Sequence, residues 1–195
     1  TQIVVQHTGL SVNQTDILAS CFTDVASPYK KAVIQNDLLA VRGQTYLTAA
    51  SAVKGKSSRL ILQALMEKPY SLSEKADIRK KNATVAEQAE AFISECRKSS
   101  ILGESEFERA KSTVESKYMT QTGNSGSLMA SLAEIWASGL ERNPLAEETL
   151  DQLNGSLSSE EPFVFIMVNP SVYQAQKKSF ENAGYSFFEL QYMHP

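Results

Sequence analysis

The chain has 195 residues, 42% of them hydrophobic and 21% charged, with a formal net charge of −3 at pH 7. That length can bury a substantial core, and the composition excludes a disordered tail and a membrane span, since no apolar run approaches the roughly 20 residues that a spanning helix needs. The weakly acidic balance argues against a broad nucleic-acid footprint, and the one basic cluster, Arg79-Lys80-Lys81, reads as a solvated strand end or loop.

In chain order, Ile3-Val4-Val5 before Gly9 predicts a short strand, because β-branched residues suit a pleated, half-buried surface. Ile17, Leu18, Cys21, Phe22 and Val25 then fall at helical intervals, with Asn13 or Thr15 as cap and Pro28 beyond the end. Ala32, Val33, Leu38, Leu39 and Val41 predict a helix stopped by Gly43; Thr45 to Thr48 carries strand-type residues; Leu60, Ile61, Ala64 and Leu65 recur helically before Pro69.

Val85, Ala89, Phe92, Ile93 and Cys96 share one helix face, and Thr84 with Glu87 has capping-box spacing. After Gly103, Phe107, Ala110, Val114 and Tyr118 form the stripe of a second helix. Past the Gly123-Asn124-Ser125-Gly126 break, Leu128, Leu132, Ile135, Trp136 and Leu140 define a third. Asn143-Pro144 opens a fourth, with Leu145, Leu150 and Leu153. Phe163 to Val168 is an unbroken apolar run of strand length, expected to be covered on both faces. Val172 to Ala183 is helical with Gly184 as its stop, and Tyr185 to Leu190 reads as a strand, compatible with a right-handed parallel crossover. The class is α+β, with strands at both ends, a helical block between them, no internal repeat, and a single domain over 1–195. The start at Thr1 is what a processed or trimmed product shows.

Chemistry-bearing residues are scarce. The histidines are His7 and His194, near opposite ends, and the cysteines are Cys21 and Cys96, distant in sequence and expected to be buried thiols. Neither set has metal-ligand clustering. Gly123 to Gly126 has no lysine at phosphate-loop spacing and reads as an interhelical turn. Glu104, Glu106 and Glu108 do not face one another on a helix and complement its dipole instead. No G-x-S-x-G elbow is present. Trp136 and Tyr118 sit in helical stripes where core packing is the default. No catalytic, cofactor-binding or metal residue is assigned.

Ser57-Ser58-Arg59-Leu60, then Tyr70-Ser71, Ala76-Asp77-Ile78, a helix, and Glu106-Phe107-Glu108-Arg109-Ala110-Lys111 opening a long helix together resemble half of a pitrilysin-type (M16) metallopeptidase. That family includes mitochondrial processing peptidase and the core subunits of the cytochrome bc1 complex. The resemblance spans about three quarters of the chain and implies one sheet with a helical layer packed against it. The family's catalytic half holds zinc through H-x-x-E-H and a downstream glutamate, for which this chain has no counterpart. Its non-catalytic half contributes an arginine and a tyrosine seven residues apart. Tyr70 stands at the tyrosine position and Gln63 at the arginine's, and glutamine lacks the charge and planar fork of a substrate grip. Tyr70 is expected to pack at the end of the Leu60 to Leu65 helix. The resemblance therefore implies a non-catalytic structural or docking unit that pairs with a second such half or sits in a larger complex, with no cofactor, and a mitochondrial setting if the core-subunit likeness holds. The rival reading is an unrelated helical interaction module, Val85 to Leu153, with flanking strands.

Overall fold

The computed structural model describes residues 2–24, 45–66, 84–97, 102–140, 147–159 and 161–189. In order they form β1 (Gln2–His7), α1 (Val12–Thr23), β2 (Thr45–Lys54), β3 (Ser57–Met66), α2 (Val85–Cys96), α3 (Glu104–Thr122), α4 (Ser125–Ser138), α5 (Leu150–Ser159), β4 (Phe163–Met167) and α6 (Pro170–Asn182). The expected helix around 32–43, the Arg79-Lys80-Lys81 cluster, Tyr70-Ser71, Ala76 to Ile78, the Asn143-Pro144 cap and His194 lie outside the described residues.

The four strands make one sheet in the order β2-β3-β1-β4, and every ladder is antiparallel. In β1 the alternation places Ile3, Val5 and His7 inward and Gln2, Val4 and Gln6 on the opposite face. Leu60 to Leu65, expected to be helical, is instead the body of β3. Spacings such as Leu60-Ile61 and Ala64-Leu65 fit a helix locally, but Ser58, Leu60, Leu62 and Ala64 are the buried set, which is a period of two. Gly55, at φ +61°, turns the chain between β2 and β3, a conformation that costs a residue with a Cβ.

The helices pack on the inward face. The core joins Ile3 and Val5 of β1, Leu60 and Leu62 of β3, Leu18 and Phe22 of α1, Phe92 of α2, Phe107 of α3 and Leu153 and Leu157 of α5. The cap of α1 is Ser11 rather than Asn13 or Thr15. Its hydroxyl accepts from the Gln14 amide at 3.1 Å, while the Gln14 side chain accepts from the Ser11 amide at 3.0 Å, a reciprocal box that the Ser-x-x-Gln spacing permits. Thr15 serves instead to join α1 to the sheet through a 2.8 Å hydrogen bond with Ser58. The expected Thr84–Glu87 box is present: Glu87 Oε2 accepts from the Thr84 amide at 2.7 Å, and the Thr84 hydroxyl from the Glu87 amide at 3.2 Å. Glu147 to Thr149 are not helical, so α5 starts at Leu150 behind a Thr149–Gln152 box instead of continuing from Pro144.

Two expectations at the C-terminal end are corrected. β4 lies at the edge of the sheet and pairs antiparallel with β1. Tyr185 to Glu189 forms no strand, so among the described residues there is no parallel crossover. Its side chains bind to helices instead: Tyr185 donates to Glu90 at 2.8 Å, and Phe187 stacks on Tyr173 with ring centroids 3.9 Å apart. Nor are both faces of β4 covered. Ile166 packs on the core, whereas Phe163, Phe165 and Met167 are 59%, 53% and 48% exposed, because the helical layer lies on one side of the sheet.

Candidate functional site

The histidine expected to be incidental is structurally placed. His7 ends β1 facing inward beside Leu60, 1% exposed, and neither ring nitrogen has a hydrogen-bond partner among the described residues. Burial first, and the Arg97 cation second, hold its pKa down at about 4, so the ring is neutral at physiological pH. A buried neutral imidazole without an orienting carboxylate lacks the arrangement of a catalytic base. Cys21 is buried between α1 and α3, its Sγ 3.9 Å from the Glu106 carbonyl oxygen. Burial, then Glu106 and Asp24, push its thiol up to about 12, which keeps it protonated and unreactive. Cys96 is fully buried in the core, as expected. Among the described residues no group of three or more His, Cys, Asp or Glu side chains is placed to hold a metal ion.

The other sequence candidates fall into structural places. Asn124 caps α4, its Oδ1 accepting from the amides of Gly126 at 3.0 Å and Ser127 at 3.2 Å, so Gly123 to Gly126 is the interhelical turn. Glu104 and Glu106 occupy the first turn of α3. Glu106 is buried against Arg109 and the Ser105 hydroxyl, whereas Glu104 and Glu108 are exposed, so no carboxylate pair forms. Gln63 lies on β3, flanked by Val4 and Thr48 in the sheet, on the face away from the core.

A groove of about 330 Å³ runs between α1, β2 and α3, with Asp16, Ser20, Ser51, Thr113, Lys117 and Tyr118 among its walls. Asp16 accepts a hydrogen bond from the Ser51 hydroxyl. Among the described residues the lining has hydroxyls, one carboxylate and one ammonium group but neither histidine nor cysteine, so these residues offer hydrogen bonding without an assembled nucleophile and base.

Two larger features escaped the sequence reading. The outward face of the sheet is open and apolar along β4: Phe165 sits beside Val4, Phe163 beside Gln6 and Met167 beside Gln2. Trp136, expected in the core, is 89% exposed, together with Met129 at 66% and Leu132 at 50% on α4. Only Ser138 of that helix is buried. Tyr118 is half-buried on the groove. A sequence signal for α4 did exist, since its 14 residues contain one charged side chain, Glu134.

No protein-family model matches the sequence, and no curated protein is similar to it. Solved structures do match. The inactive peptidase domain of a candidate zinc protease from Bordetella parapertussis superposes with a TM-score of 0.58 at 12% identity, over 86% of this chain and 90% of that one. The chain has the fold of that peptidase domain. A candidate zinc protease from Bordetella pertussis Tohama I shares this fold with a TM-score of 0.60 at 14% identity, over 86% and 94% of the two chains. A conserved protein from Enterococcus faecalis V583 matches with a TM-score of 0.59 at 15% identity. There the half-domain is covered over 95% of its length but spans only 47% of the other chain. At these identities the likeness is one of fold alone. The four strands lie in one sheet with helices against it, the arrangement expected of such a half rather than of a free-standing helical bundle.

Proposed function

We propose that this half-domain is non-catalytic and works as a structural or docking unit, pairing with another M16-like half or taking a place in a larger assembly. The observation that carries the reading is the open sheet face. A sheet with one apolar face on the core and a second apolar row, Phe163, Phe165 and Met167, left in solvent is one layer short of the usual packing. A sequence argument supports the non-catalytic reading: H-x-x-E-H needs two histidines four positions apart, and the two histidines here are His7 and His194. His7 is spent inside the core. The match to about half of the longer Enterococcus faecalis chain supports a unit that operates beside a second body.

Zinc content and peptide hydrolysis of the purified chain test the reading. Substoichiometric zinc and no peptidase activity are expected. One tightly held zinc per chain, with hydrolysis that a chelator abolishes, would refute it.

A further inference from the structure

Residues 170–189 pack separately from the rest of the described chain. Of the 13 residues of α6 only Phe180 is buried, and it lies outside the main core. With Val85 and Ala86 of α2 it makes a second, small cluster, edged by the half-buried Val168, Val172, Tyr173 and Tyr185, while Ile166 of β4 packs against both clusters. The rings of this cluster hold one another. Gly184, at φ +80°, turns the chain back after α6. Phe187 thereby stacks on Tyr173 at 3.9 Å, Tyr185 meets Phe180 edge-on at 6.3 Å, and Phe180 lies 5.7 Å from Tyr173, all between ring centroids.

The seam to α2 is thinner. Val85 and Ala86 supply its apolar side. On its polar side Gln176 Oε1 accepts from the Val85 amide at 2.8 Å, the Thr84 and Ser179 hydroxyls lie 2.7 Å apart, and Tyr185 donates to Glu90 at 2.8 Å. The Val85 amide stands in the first turn of α2, where no carbonyl of that helix can accept from it. The backbone of α6 leaves helical geometry at Gln176, φ −119° and ψ 16°, the residue whose side chain crosses to that amide. Cohesion within a segment, joined to the body by few buried contacts and by partly exposed hydrogen bonds, is the pattern of a unit that opens below global unfolding. We propose that residues 170–189 form an arm that swings off the first turn of α2 as one body, hinged at Val168-Asn169, while the sheet and the main core stay folded. Closed, the arm covers Val85 and Ala86 and completes the capping of α2. Open, it presents those residues and the inner side of its own rings as an apolar surface that the closed form hides. The inference stands independently of the docking reading.

Native-state hydrogen exchange tests it. The amides of α6 should share one opening event, more frequent by about a hundredfold or more than the openings that expose the amides of β1 and β3. Tyr185→Phe deletes the bond to Glu90 and keeps the ring, so it should speed exchange in α6 by about three- to tenfold and leave β1, β3 and the denaturant midpoint unchanged. Thr84→Cys combined with Ser179→Cys places two thiols across the seam, and Cys21 and Cys96 are too buried to compete with them. Oxidised, that pair should slow exchange in α6 by about tenfold or more, and reduction should restore it. Exchange of α6 at the rate of the sheet, exchange amide by amide without a common opening, or equal acceleration of α6 and the sheet in Tyr185→Phe would each overturn the proposal. So would a thiol pair that does not oxidise in the folded protein, or one whose oxidation leaves α6 exchange unchanged.

Discussion

Arg109 grips Asp24 with two nitrogens, Nε at 3.0 Å and Nη2 at 2.9 Å from Oδ2, and so fastens α3 to the C-terminal end of α1. Asp24 is the C-cap of α1, and Glu106, 3.7 Å from the same guanidinium, adds a second carboxylate. The Arg109 side chain is 52% exposed, so solvent screens the pair. Arg109→Ala should lower stability by about 0.5–1 kcal/mol, a fall in Tm of ~1–4 °C, measurable by thermal unfolding.

His7 should give stability a pH dependence of defined sign. Its folded pKa of about 4 lies below the ordinary value of 6.5, so the unfolded chain binds more protons between those two points. Stability contributed by the neutral ring is present above pH ~6.5 and is lost as pH falls toward ~4, by a few kcal/mol at most. Urea unfolding of wild type and His7→Leu at pH 7.5, 6 and 5 should show the difference moving in favour of the variant as the solution is acidified. Parallel curves would remove the linkage.

Phe92 is fully buried in the main core on α2. Phe92→Ala removes a ring and leaves a cavity, so it should cost about 3–5 kcal/mol, read as a lower denaturant midpoint with little change in slope. Trp136→Ala, on an exposed helix face, should change the stability of the monomer by about 0.5 kcal/mol or less.

Asn124→Ala removes the side-chain acceptor for two amides at the start of α4 and should destabilise the chain by ~1 kcal/mol. Asn124→Ser should recover most of that loss, because a hydroxyl accepts in the same place. Amide exchange in Gly126 and Ser127 reports the loss at the site itself.

Both thiols should resist modification in the folded chain. Cys21 is held protonated up to about pH 12 and Cys96 is fully buried. A thiol reagent should titrate two groups only after denaturation, and rapid native labelling of either would contradict the packing.

Much of the helical layer was legible because stripe and punctuation agree. For α2, the Phe92 face and the Thr84–Glu87 box give the same answer, and for α3 Gly103 precedes the Phe107 and Ala110 stripe. β3 was misread because Leu60-Ile61 and Ala64-Leu65 satisfy a helical spacing as well as a strand one. Pairing on both sides, with β1 and β2, decides in favour of the strand, and pairing partners are invisible in a local window. The open faces were hidden for a related reason. An apolar run such as Phe163 to Val168, or an apolar helix such as Leu128 to Trp136, states that its side chains belong out of water. It does not state whether the cover comes from the same chain. His7 was underrated because closeness to a chain end says nothing of whether the strand carrying it lies inside a sheet, as β1 does.

The position of β4 at the sheet's edge exposes a hazard. Phe-Val-Phe-Ile-Met, uncharged and rich in strand-forming residues, is the kind of five-residue segment that can recruit strands from other molecules without limit. Pro162 stands immediately before it, and Asn169-Pro170 follows one residue after its extension at Val168. Prolines donate no backbone hydrogen bond, and Pro170 also starts α6, so a stacked strand finds the ladder interrupted at both ends. The two prolines bound the stretch that an added strand can pair with along this edge.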